Sequence, residues 1–389
     1  MNMIPVAEMS FPTRIIAGPG ALSRLPTELS KLSVRRCLVV SDEGLLDAGL
    51  VERVTSVLRS AGVFTEVFTG VSKNPTEDDV LRGMQAYYEM DGQGIVALGG
   101  GAPMDTAKAI ALMVTHGEPL AAYDDQLGGD AKIRPDLPPV VAIPTTAGTG
   151  SEVGRAGVIV IGSGDEARKV VIFSPYLLPK VALLDAELTL ALPSAMTAAT
   201  GFDALTHALE AYVARGYHPF ADMYALAGLA RIATHLPRVA EDPENVESRH
   251  EMLLAASMGA IAFQKGLGAC HALAHPLSSV AGLHHGTANA VMLPSVIEFN
   301  LEHATERYAT AGQAMGARTE GGHDRAEACL RHVTALRASL GLPERLSGLG
   351  VTKDHVEAMI PQALADATAP QNPRDLTEED VRGLYMGAL

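Results

Sequence analysis

The first half of the chain alternates short apolar runs with longer amphipathic stretches, and this alternation limits the fold more than any other feature. Each run is followed by Gly, Ser, Asp or Pro, and the runs lie at 37–40, 94–98, 140–143 and 181–184. Continuous apolar strands joined by crossover helices are typical of a parallel sheet that is covered on both faces. The amphipathic segments 45–60 and 76–89 are long enough to be two of these helices.

The second half has a different pattern. From Pro193 onward the sequence is rich in Ala, Leu and Met at helical spacing, with predicted breaks at Gly216, Pro237, Gly266 and Gly286. We therefore predict two domains, an α/β dinucleotide-binding domain with a parallel sheet at 1–190 and an all-helical domain at 191–389.

Composition excludes several classes of protein. Of the 389 residues 47% are hydrophobic and 19% charged, which excludes intrinsic disorder, and the net charge of −15 argues against a nucleic-acid partner. The N-terminus has neither a signal-peptide nor a transit-peptide pattern, and no apolar run approaches about 18 residues. We expect a soluble, cytoplasmic protein without a membrane or nucleic-acid partner.

Cysteine usage narrows the chemistry of any metal site. The three cysteines, Cys37, Cys270 and Cys329, are odd in number and far apart in sequence. This spacing fits neither a disulfide framework nor a thiolate zinc site, so any metal must have nitrogen and oxygen ligands.

Histidines are concentrated in one short segment of the helical half. Four of the thirteen lie within 15 residues, at His271, His275, His284 and His285. His271 and His275 are four residues apart, as are Asp203 and His207 on an earlier helix, so each pair projects from one helix face.

One carboxylate with three imidazoles suits a divalent ion such as Fe²⁺, Zn²⁺, Mn²⁺ or Ni²⁺. The alternative is that each histidine is an ordinary core or surface residue.

A glycine triplet suggests a nucleotide site. Gly99, Gly100 and Gly101 follow an apolar strand and open a predicted helix that contains Asp105 and Lys108. Glycines let backbone N–H groups approach a pyrophosphate at a helix N-terminus, although turns also require glycine for other reasons. The GxGxxG fingerprint with a downstream acidic residue is missing.

Two further segments can contact a nucleotide. Asp42 follows the first apolar run and can accept hydrogen bonds from a ribose while repelling a 2′-phosphate, which favours NAD over NADP; it can equally be a helix N-cap. The loop 144–152 supplies the hydroxyl groups of Thr145, Thr146 and Thr149, which can equally be turn formers.

Four blocks of sequence, in the same order along the chain, resemble the iron-containing (group III) alcohol dehydrogenases. They are GGGxxxDxxK at 99–108, PTTAGTGSE at 144–152, TAATGFDALTHALEAY at 197–212, and the histidine block at 271–285. The similarity extends from about residue 10 to the C-terminus.

The resemblance implies an N-terminal NAD(P)-binding α/β domain, a C-terminal helical metal domain like that of dehydroquinate synthases, and a homodimer or higher oligomer. It implies a divalent metal, most often iron, bound by Asp203, His207, His271 and His285, with His275 near the substrate. The positions that match cofactor contacts are Asp42, Asn74, Gly99, Gly100, Gly101, Asp105, Lys108, Thr145, Thr146 and Thr149.

These features predict an NAD-linked, metal-dependent alcohol dehydrogenase or aldehyde reductase. The metal lowers the pKa of the alcohol, a hydride passes to the nicotinamide, and His275 relays the proton. Arg155 and Lys265 are candidates for binding an anionic end of the substrate, which favours a hydroxy acid such as 4-hydroxybutyrate. Their alternative role is a solvated or structural charge.

Several other functions are compatible with parts of the sequence. A dehydroquinate synthase-like lyase, a glycerol dehydrogenase and a maleylacetate reductase share the architecture, but the basic phosphate-binding cluster of the lyase is missing. A hydrolase that uses metal-activated water and a non-catalytic metal protein need no nucleotide site. Binding of NAD therefore distinguishes the dehydrogenase from the hydrolase and from the non-catalytic metal protein.

Overall fold

The computed structural model describes residues 13–117, 119–162, 167–318 and 324–389, which form two compact units. The first unit comprises the described residues up to Thr146 together with Gly150–Ala191, and the second comprises Ala147–Thr149 and Leu192–Leu389. The main division lies at 191/192, close to the point where the helical sequence pattern begins. The first twelve residues of the predicted N-terminal domain lie outside the described residues.

Six parallel strands form the sheet of the first unit, and two more form an antiparallel hairpin. The strands are β1 Arg14–Ala17, β2 Arg36–Val40, β3 Phe64–Phe68, β4 Gly94–Gly99, β5 Val140–Pro144, β6 Ala156–Ile161, β7 Arg168–Phe173 and β8 Val181–Leu184. The order in the sheet is β1-β8-β5-β4-β2-β3, so β5, β4 and β2 are neighbours. The four apolar runs of the sequence are β2, β4, β5 and β8, and the prediction of a parallel sheet is confirmed.

The central strands are apolar throughout because both of their faces are buried. Alternate residues of β2, β4 and β5 belong to two separate core clusters: Leu38 and Ile95 contribute to one, and Val39 and Val96 to the other. A strand with solvent on one face would instead alternate apolar and polar residues.

Helices of the first unit pack on the two faces of the sheet and complete the two core clusters. They are α1 Leu25–Lys31, α2 Glu43–Asp47, α3 Leu50–Ser60, α4 Glu77–Glu89 and α5 Gly101–Thr115. Helices α1 and α3 pack in the cluster of Val39, and α4 and α5 pack in the cluster of Leu38. The prediction of a single helix at 45–60 is wrong, because Gly49, with φ of +75°, separates α2 from α3.

The β6–β7 hairpin departs from the βαβ pattern expected throughout the first half. In β6 the buried residues Gly157, Ile159 and Ile161 alternate with half-buried ones, which is the burial pattern of a strand packed on one face only. The backbone N–H of Val160 also donates to the Pro75 carbonyl at 2.8 Å. The hairpin thereby contacts the loop that precedes α4.

The second unit is helical, as predicted. Its helices are α6 Ser194–Val213, α7 Pro219–Glu241, α8 Val246–Ala262, α9 Ala269–Ser279, α10 His285–Asn300, α11 Thr305–Ala314, α12 Arg325–Ser339, α13 Lys353–Ala365 and α14 Glu378–Ala388. Gly216 and Gly266 lie between helices, whereas the breaks predicted at Pro237 and Gly286 are wrong because both residues are helical. Proline removes one backbone donor, and the burial of Leu236 and Val239 holds the last turns of α7 in place.

One large apolar cluster forms the core of this unit and draws on most of its helices. No single helix among the described residues is long and apolar enough to cross a membrane. One pair of segments, Val246–Lys265 and Ala269–Ser279, meets the length and composition requirement together but is bent by 109°. Most residues of both segments are buried within the helical unit.

Candidate active site

Helix α6 places three polar residues on one buried face. Asp203, His207 and Glu210 are separated by four and three residues, so their side chains project in the same direction from the helix. All three lie among apolar neighbours and are at most 6% exposed. Burying ionisable groups in this way is costly unless they are paired or bind a metal ion.

Two further helices bring histidines to this face. His271 and His275 lie on α9, and His285 is the first residue of α10. Gly286 allows α10 to approach α6, because a Cβ atom at this position would lie 2.1 Å from the carbonyl oxygen of Ala199. The glycine is thus required for the position of its neighbour His285.

The four predicted ligands converge around one carboxylate oxygen. Asp203 Oδ1 lies 3.8 Å from Nε2 of His207, 3.9 Å from Nε2 of His271 and 3.5 Å from Nε2 of His285. Ligand atoms of Asp203, His207 and His271 all lie within 4.8 Å of one another. These distances leave room for an ion between the donor atoms.

Two observations show that the cluster suits a divalent cation. Nε2 of His271, the nitrogen that faces Asp203, is buried and has no hydrogen-bond partner within the described part of the chain. Burial lowers the pKa of His271 well below its usual range, so its neutral imidazole keeps a lone pair for a metal ion. Burial disfavours ionised Asp203, but the attraction of neighbouring histidines in their protonated form and a hydrogen bond from Asn289 outweigh burial and lower its pKa.

Sequence reasoning missed two residues that contact the ligands. Glu210 Oε2 lies 2.6 Å from Nδ1 of His271, and Asn289 donates to Asp203 Oδ1 at 2.7 Å. Burial raises the pKa of Glu210 to about 7, although hydrogen bonds from backbone N–H groups stabilise its ionised form and limit the rise. The available signal was helical spacing, since Glu210 follows His207 by three residues and Asn289 follows His285 by four.

His275 lies beside the cluster, with a partner of its own. Its ring stacks on that of His285 with centroids 5.3 Å apart, and its Nδ1 lies 2.7 Å from Asp366 Oδ2. Burial disfavours ionised Asp366, but hydrogen bonds from His275 and Thr368 outweigh burial and lower its pKa to about 2. The His275 side chain is 44% exposed, whereas that of His271 is 2% exposed.

The predicted nucleotide segments meet at the carboxyl ends of adjacent strands. Gly99 pairs with Pro144 across β4 and β5, and the Thr145 N–H donates to the Gly99 carbonyl at 3.0 Å. On the other side of β4, the Ser41 hydroxyl at the end of β2 donates to the Leu98 carbonyl at 3.0 Å. Asp42, the glycine triplet and Thr146 therefore follow three neighbouring strands.

At this edge the connections that follow neighbouring strands run to opposite faces of the sheet. The segment after β2 leads to α3 on one face, and the glycines after β4 lead to α5 on the other. Connections that diverge in this way leave a crevice between the strand ends, which is the usual ligand site of open α/β sheets.

The glycine triplet joins β4 to α5, and its first residue has a conformation that other residues cannot adopt without strain. Gly99 has a φ of +146°, and a Cβ atom there would lie 2.6 Å from Pro103 Cγ. Gly100 is the N-cap of α5 and has no side chain to satisfy the first N–H groups of the helix. These N–H groups and the helix dipole form a site suited to a phosphate group.

Asp105 and Lys108 bind the protein itself. The Asp105 carboxylate accepts from the Ser151 hydroxyl at 2.6 Å and the Val158 N–H at 3.1 Å. Lys108 Nζ donates to the Ser151 hydroxyl at 2.6 Å and to the Ala156 carbonyl at 2.8 Å. These contacts fasten the loop after β5 and strand β6 to helix α5.

Other predicted cofactor positions have mixed environments. Asp42 is the N-cap of α2, and its Oδ1 accepts from the Leu45 N–H at 3.0 Å, so the capping interpretation is confirmed while the ribose interpretation stays a prediction. Asn74 is exposed, and Thr146 and Thr149 are half-buried.

Lys265 and Arg155, the two residues predicted to bind an anionic end of the substrate, differ in their environment. Lys265 is buried, and its Nζ donates to the Tyr212 carbonyl and to Asp222 Oδ1, both at 2.8 Å. Arg307 binds the other oxygen of Asp222 at 2.6 Å. These contacts favour the structural role for Lys265. Arg155 is half-buried at the start of the β6–β7 hairpin.

Comparisons with known proteins match both units of the chain. A family model for iron-containing alcohol dehydrogenase matches residues 12–186, and a model for the C-terminal part of the Fe-containing alcohol dehydrogenase family matches residues 197–389. The 4-hydroxybutyrate dehydrogenase of Cupriavidus necator is 40% identical over 393 residues, which cover 99% of this chain and 100% of that protein.

Two solved structures give the same result. A 1,3-propanediol oxidoreductase has a TM-score of 0.94 and 34% identity over 98% of this chain and 100% of its own. A sulfoacetaldehyde reductase from Bifidobacterium kashiwanohense, solved in complex with NAD+, has a TM-score of 0.89 and 26% identity over 99% of both chains.

The chain belongs to the iron-containing alcohol dehydrogenase family. It is therefore an oxidoreductase, and its reaction class is the NAD-linked interconversion of alcohols and aldehydes. This result confirms the predicted family, the fold class and the class of reaction.

Proposed function

We propose that this protein oxidises 4-hydroxybutyrate to succinic semialdehyde, and catalyses the reverse reduction, with NAD and one Fe²⁺ ion. The observation that carries the proposal is the convergence of Asp203, His207 and His271, whose ligand atoms lie within 4.8 Å of one another in a buried site. His285 completes the ligand set. When bound, the cation supplies Lewis acidity toward the alcohol oxygen and NAD supplies the hydride acceptor.

The chain's own residues bind the two groups and move the proton. The glycine turn before α5 offers backbone N–H groups to the pyrophosphate, and the Asp42 carboxylate accepts from the adenosine ribose. The hydroxyl groups of Thr145, Thr146 and Thr149, together with Asn74, are the other proposed contacts of the nucleotide. Asp105 and Lys108 hold the loop that carries these hydroxyl groups.

His275 is the proposed proton carrier. Its half-exposed ring lies against His285, and Asp366 holds its Nδ1, so the other ring nitrogen is available to take up the alcohol proton. Oxidation of one alcohol then yields one aldehyde, one NADH and one proton, and the proton leaves through His275.

The substrate proposal rests on two supports. The relative that shares 40% identity over nearly the whole chain is a 4-hydroxybutyrate dehydrogenase. Arg155 is half-buried, and a guanidinium group can pair with a carboxylate in two hydrogen bonds. Lys265 has a structural role, since its ammonium group is bound by Asp222 and Tyr212.

The decisive experiment starts from protein stripped of metal by chelation and reloaded anaerobically with Fe²⁺, Zn²⁺, Mn²⁺ or Ni²⁺. Oxidation of 4-hydroxybutyrate is compared with that of 1,4-butanediol, which has the same carbon chain but a hydroxyl in place of the carboxylate. We expect Fe²⁺ to restore NADH production and the hydroxy acid to have the higher kcat/KM.

Two variants separate the parts of the proposal. Asp203→Ala should abolish activity with both substrates, whereas Arg155→Ala should raise the KM only for 4-hydroxybutyrate. Equal kcat/KM values for the two substrates would refute the substrate proposal and leave the dehydrogenase intact. NAD binding without metal-dependent turnover of any alcohol would refute the function itself.

Two general properties complete the proposal. We expect a homodimer or higher oligomer, as the family resemblance implies, and a cytoplasmic location. Light scattering of the purified protein and fractionation of cells that produce it measure these properties directly.

A further inference from the structure

We propose that Glu210 is the positioning residue of the metal centre, because its one carboxylate both caps helix α9 and fixes which nitrogen of His271 faces the metal. The inference rests on the proposed metal site. It assigns a task to a residue that lies outside the four ligands.

The contacts of Glu210 join a backbone and a side chain. Oε1 accepts from the Cys270 N–H at 2.6 Å, and Oε2 accepts from the His271 N–H at 3.2 Å. Oε2 also lies 2.6 Å from Nδ1 of the His271 ring. Glu210 is 3% exposed and His271 is 1% exposed, so water does not compete for these hydrogen bonds.

Helix α9 needs such an acceptor at its start. Gly268 is its N-cap and has no side chain, so the first N–H groups of the helix must find partners elsewhere. The Ala269 N–H donates to Asn372 Oδ1 at 3.1 Å, and the next two N–H groups donate to Glu210. A negative charge at a helix N-terminus is also favoured by the helix dipole.

The same carboxylate decides the tautomer of His271. In its ionised form Glu210 can only accept hydrogen bonds, so the proton of the neutral imidazole is then on Nδ1, and Nε2 keeps the lone pair. Nε2 is the nitrogen that lies 3.9 Å from Asp203 Oδ1 and has no hydrogen-bond partner among residues of known placement. Glu210 therefore directs the free lone pair of His271 toward the other ligands.

A glutamine at this position tests the assignment because it keeps the shape and reverses one hydrogen bond. Its amide oxygen can still accept from one backbone N–H group, whereas its NH₂ group donates and favours the tautomer with the proton on Nε2. That tautomer blocks the metal-binding nitrogen. Removal of groups that orient a metal ligand typically lowers metal affinity about 10- to 100-fold.

The experiment measures the affinity of the metal-free protein for Zn²⁺ and Co²⁺ by competition with a chromophoric chelator, together with the Tm of each metal-free variant. Glu210→Gln is compared with Asn372→Ala, which removes the acceptor of the adjacent Ala269 N–H but leaves the His271 ring untouched. We expect both variants to have a lower Tm. Only Glu210→Gln should bind the metals about 10- to 100-fold more weakly.

The possible results are distinguishable. Wild-type affinity in Glu210→Gln, or equal losses in both variants, overturns the role of Glu210 while the proposed metal site stands. Wild-type protein that binds neither metal overturns the proposed function instead.

A second measurement uses only folded wild-type protein, in case Glu210→Gln does not fold. The ¹⁵N spectrum of histidine-labelled, metal-free protein, assigned with His271→Gln, should show His271 protonated on Nδ1. Protonation on Nε2 would overturn the inference.

Discussion

The proposed nucleotide site at the sheet edge and the proposed metal site of the helical unit are built from different parts of the polypeptide. At the sheet edge, backbone geometry is central: Gly99 has a φ of +146°, and the N-terminal N–H groups of α5 are the proposed anion site. In the cluster, side chains of Asp203 and His207 from one helix meet those of two others. The first kind of site depends on a local turn and the second on the packing of helices.

The difference has consequences for tolerance to substitution. A backbone site is damaged by an added side chain, whereas a cluster of ligands is damaged by the loss of one. If the two units have separate tasks, a change at the cluster should remove metal and leave NAD binding, and a change at the glycine turn should do the opposite.

The largest effect is expected from His207→Ala. Loss of one of the four proposed ligands should prevent stable metal binding and lower turnover at least about a thousandfold, roughly 4 kcal/mol of transition-state stabilisation. The Kd for NAD should change little. Metal content, kcat and NAD titration measure the three quantities.

A matched control for this variant is His303→Ala, since His303 is an exposed histidine of the same unit. It should retain metal and activity. A concurrent loss of NAD binding in His207→Ala would contradict the separation of tasks.

His275→Ala should have the next largest effect. Because His275 lies beside the cluster and is a proposed proton carrier, turnover should fall about a hundredfold, as is usual when a general acid or base is lost. Metal content should equal that of the wild type, as measured by elemental analysis. Loss of the metal would instead make His275 a ligand.

Gly99→Ala should act mainly on the nucleotide. The added methyl group meets Pro103 and the residue has a positive φ, so the turn must shift at a cost of about 1 to 3 kcal/mol. The Kd for NAD should rise about tenfold or more while metal content is unchanged, as calorimetry and elemental analysis can show.

The control for this variant is Gly117→Ala, because a Cβ atom at Gly117 has no atom within 4 Å among those described. It should bind NAD like the wild type. Equal NAD affinities in the two variants would show that the glycine turn is not the phosphate site.

The smallest effect concerns Asp42, whose two interpretations can be separated. Asp42→Ser keeps a capping oxygen and removes the carboxylate, whereas Asp42→Ala removes both and should cost about 1 kcal/mol of stability. If the carboxylate excludes a 2′-phosphate, both variants should gain activity with NADPH relative to NADH. If Asp42 is only a cap, the cofactor preference should not change and only Asp42→Ala should lose stability.

Local patterns predicted much of the fold because their signals are local. The apolar runs became β2, β4, β5 and β8, since strands buried on both faces must be apolar throughout. Errors occurred where tertiary packing outweighs local preference, as at Pro237 inside α7. The β6–β7 hairpin was not predicted, because the expected alternation of strands and helices contains no antiparallel pair.

The clustering of the proposed metal ligands was predictable in part, because Asp203 and His207 are four residues apart on one helix face and His271 and His275 repeat this spacing. Glu210 and Asn289 lie at helical spacing from His207 and His285, respectively. Nothing in the sequence indicates that Glu210 contacts His271 or that Asn289 contacts Asp203. Asp366 is 91 residues from His275 in sequence, and no local pattern relates the two.

Most of the elements, their order and the types of ligand available follow from the amino-acid sequence alone, because helical and strand periodicity and donor chemistry are properties of short segments. Only the tertiary structure decided which histidine is paired with which carboxylate, and that Lys265 is bound by Asp222. The physical reason is that hydrogen bonds between distant segments depend on how helices pack, and packing follows from the burial of the whole apolar surface.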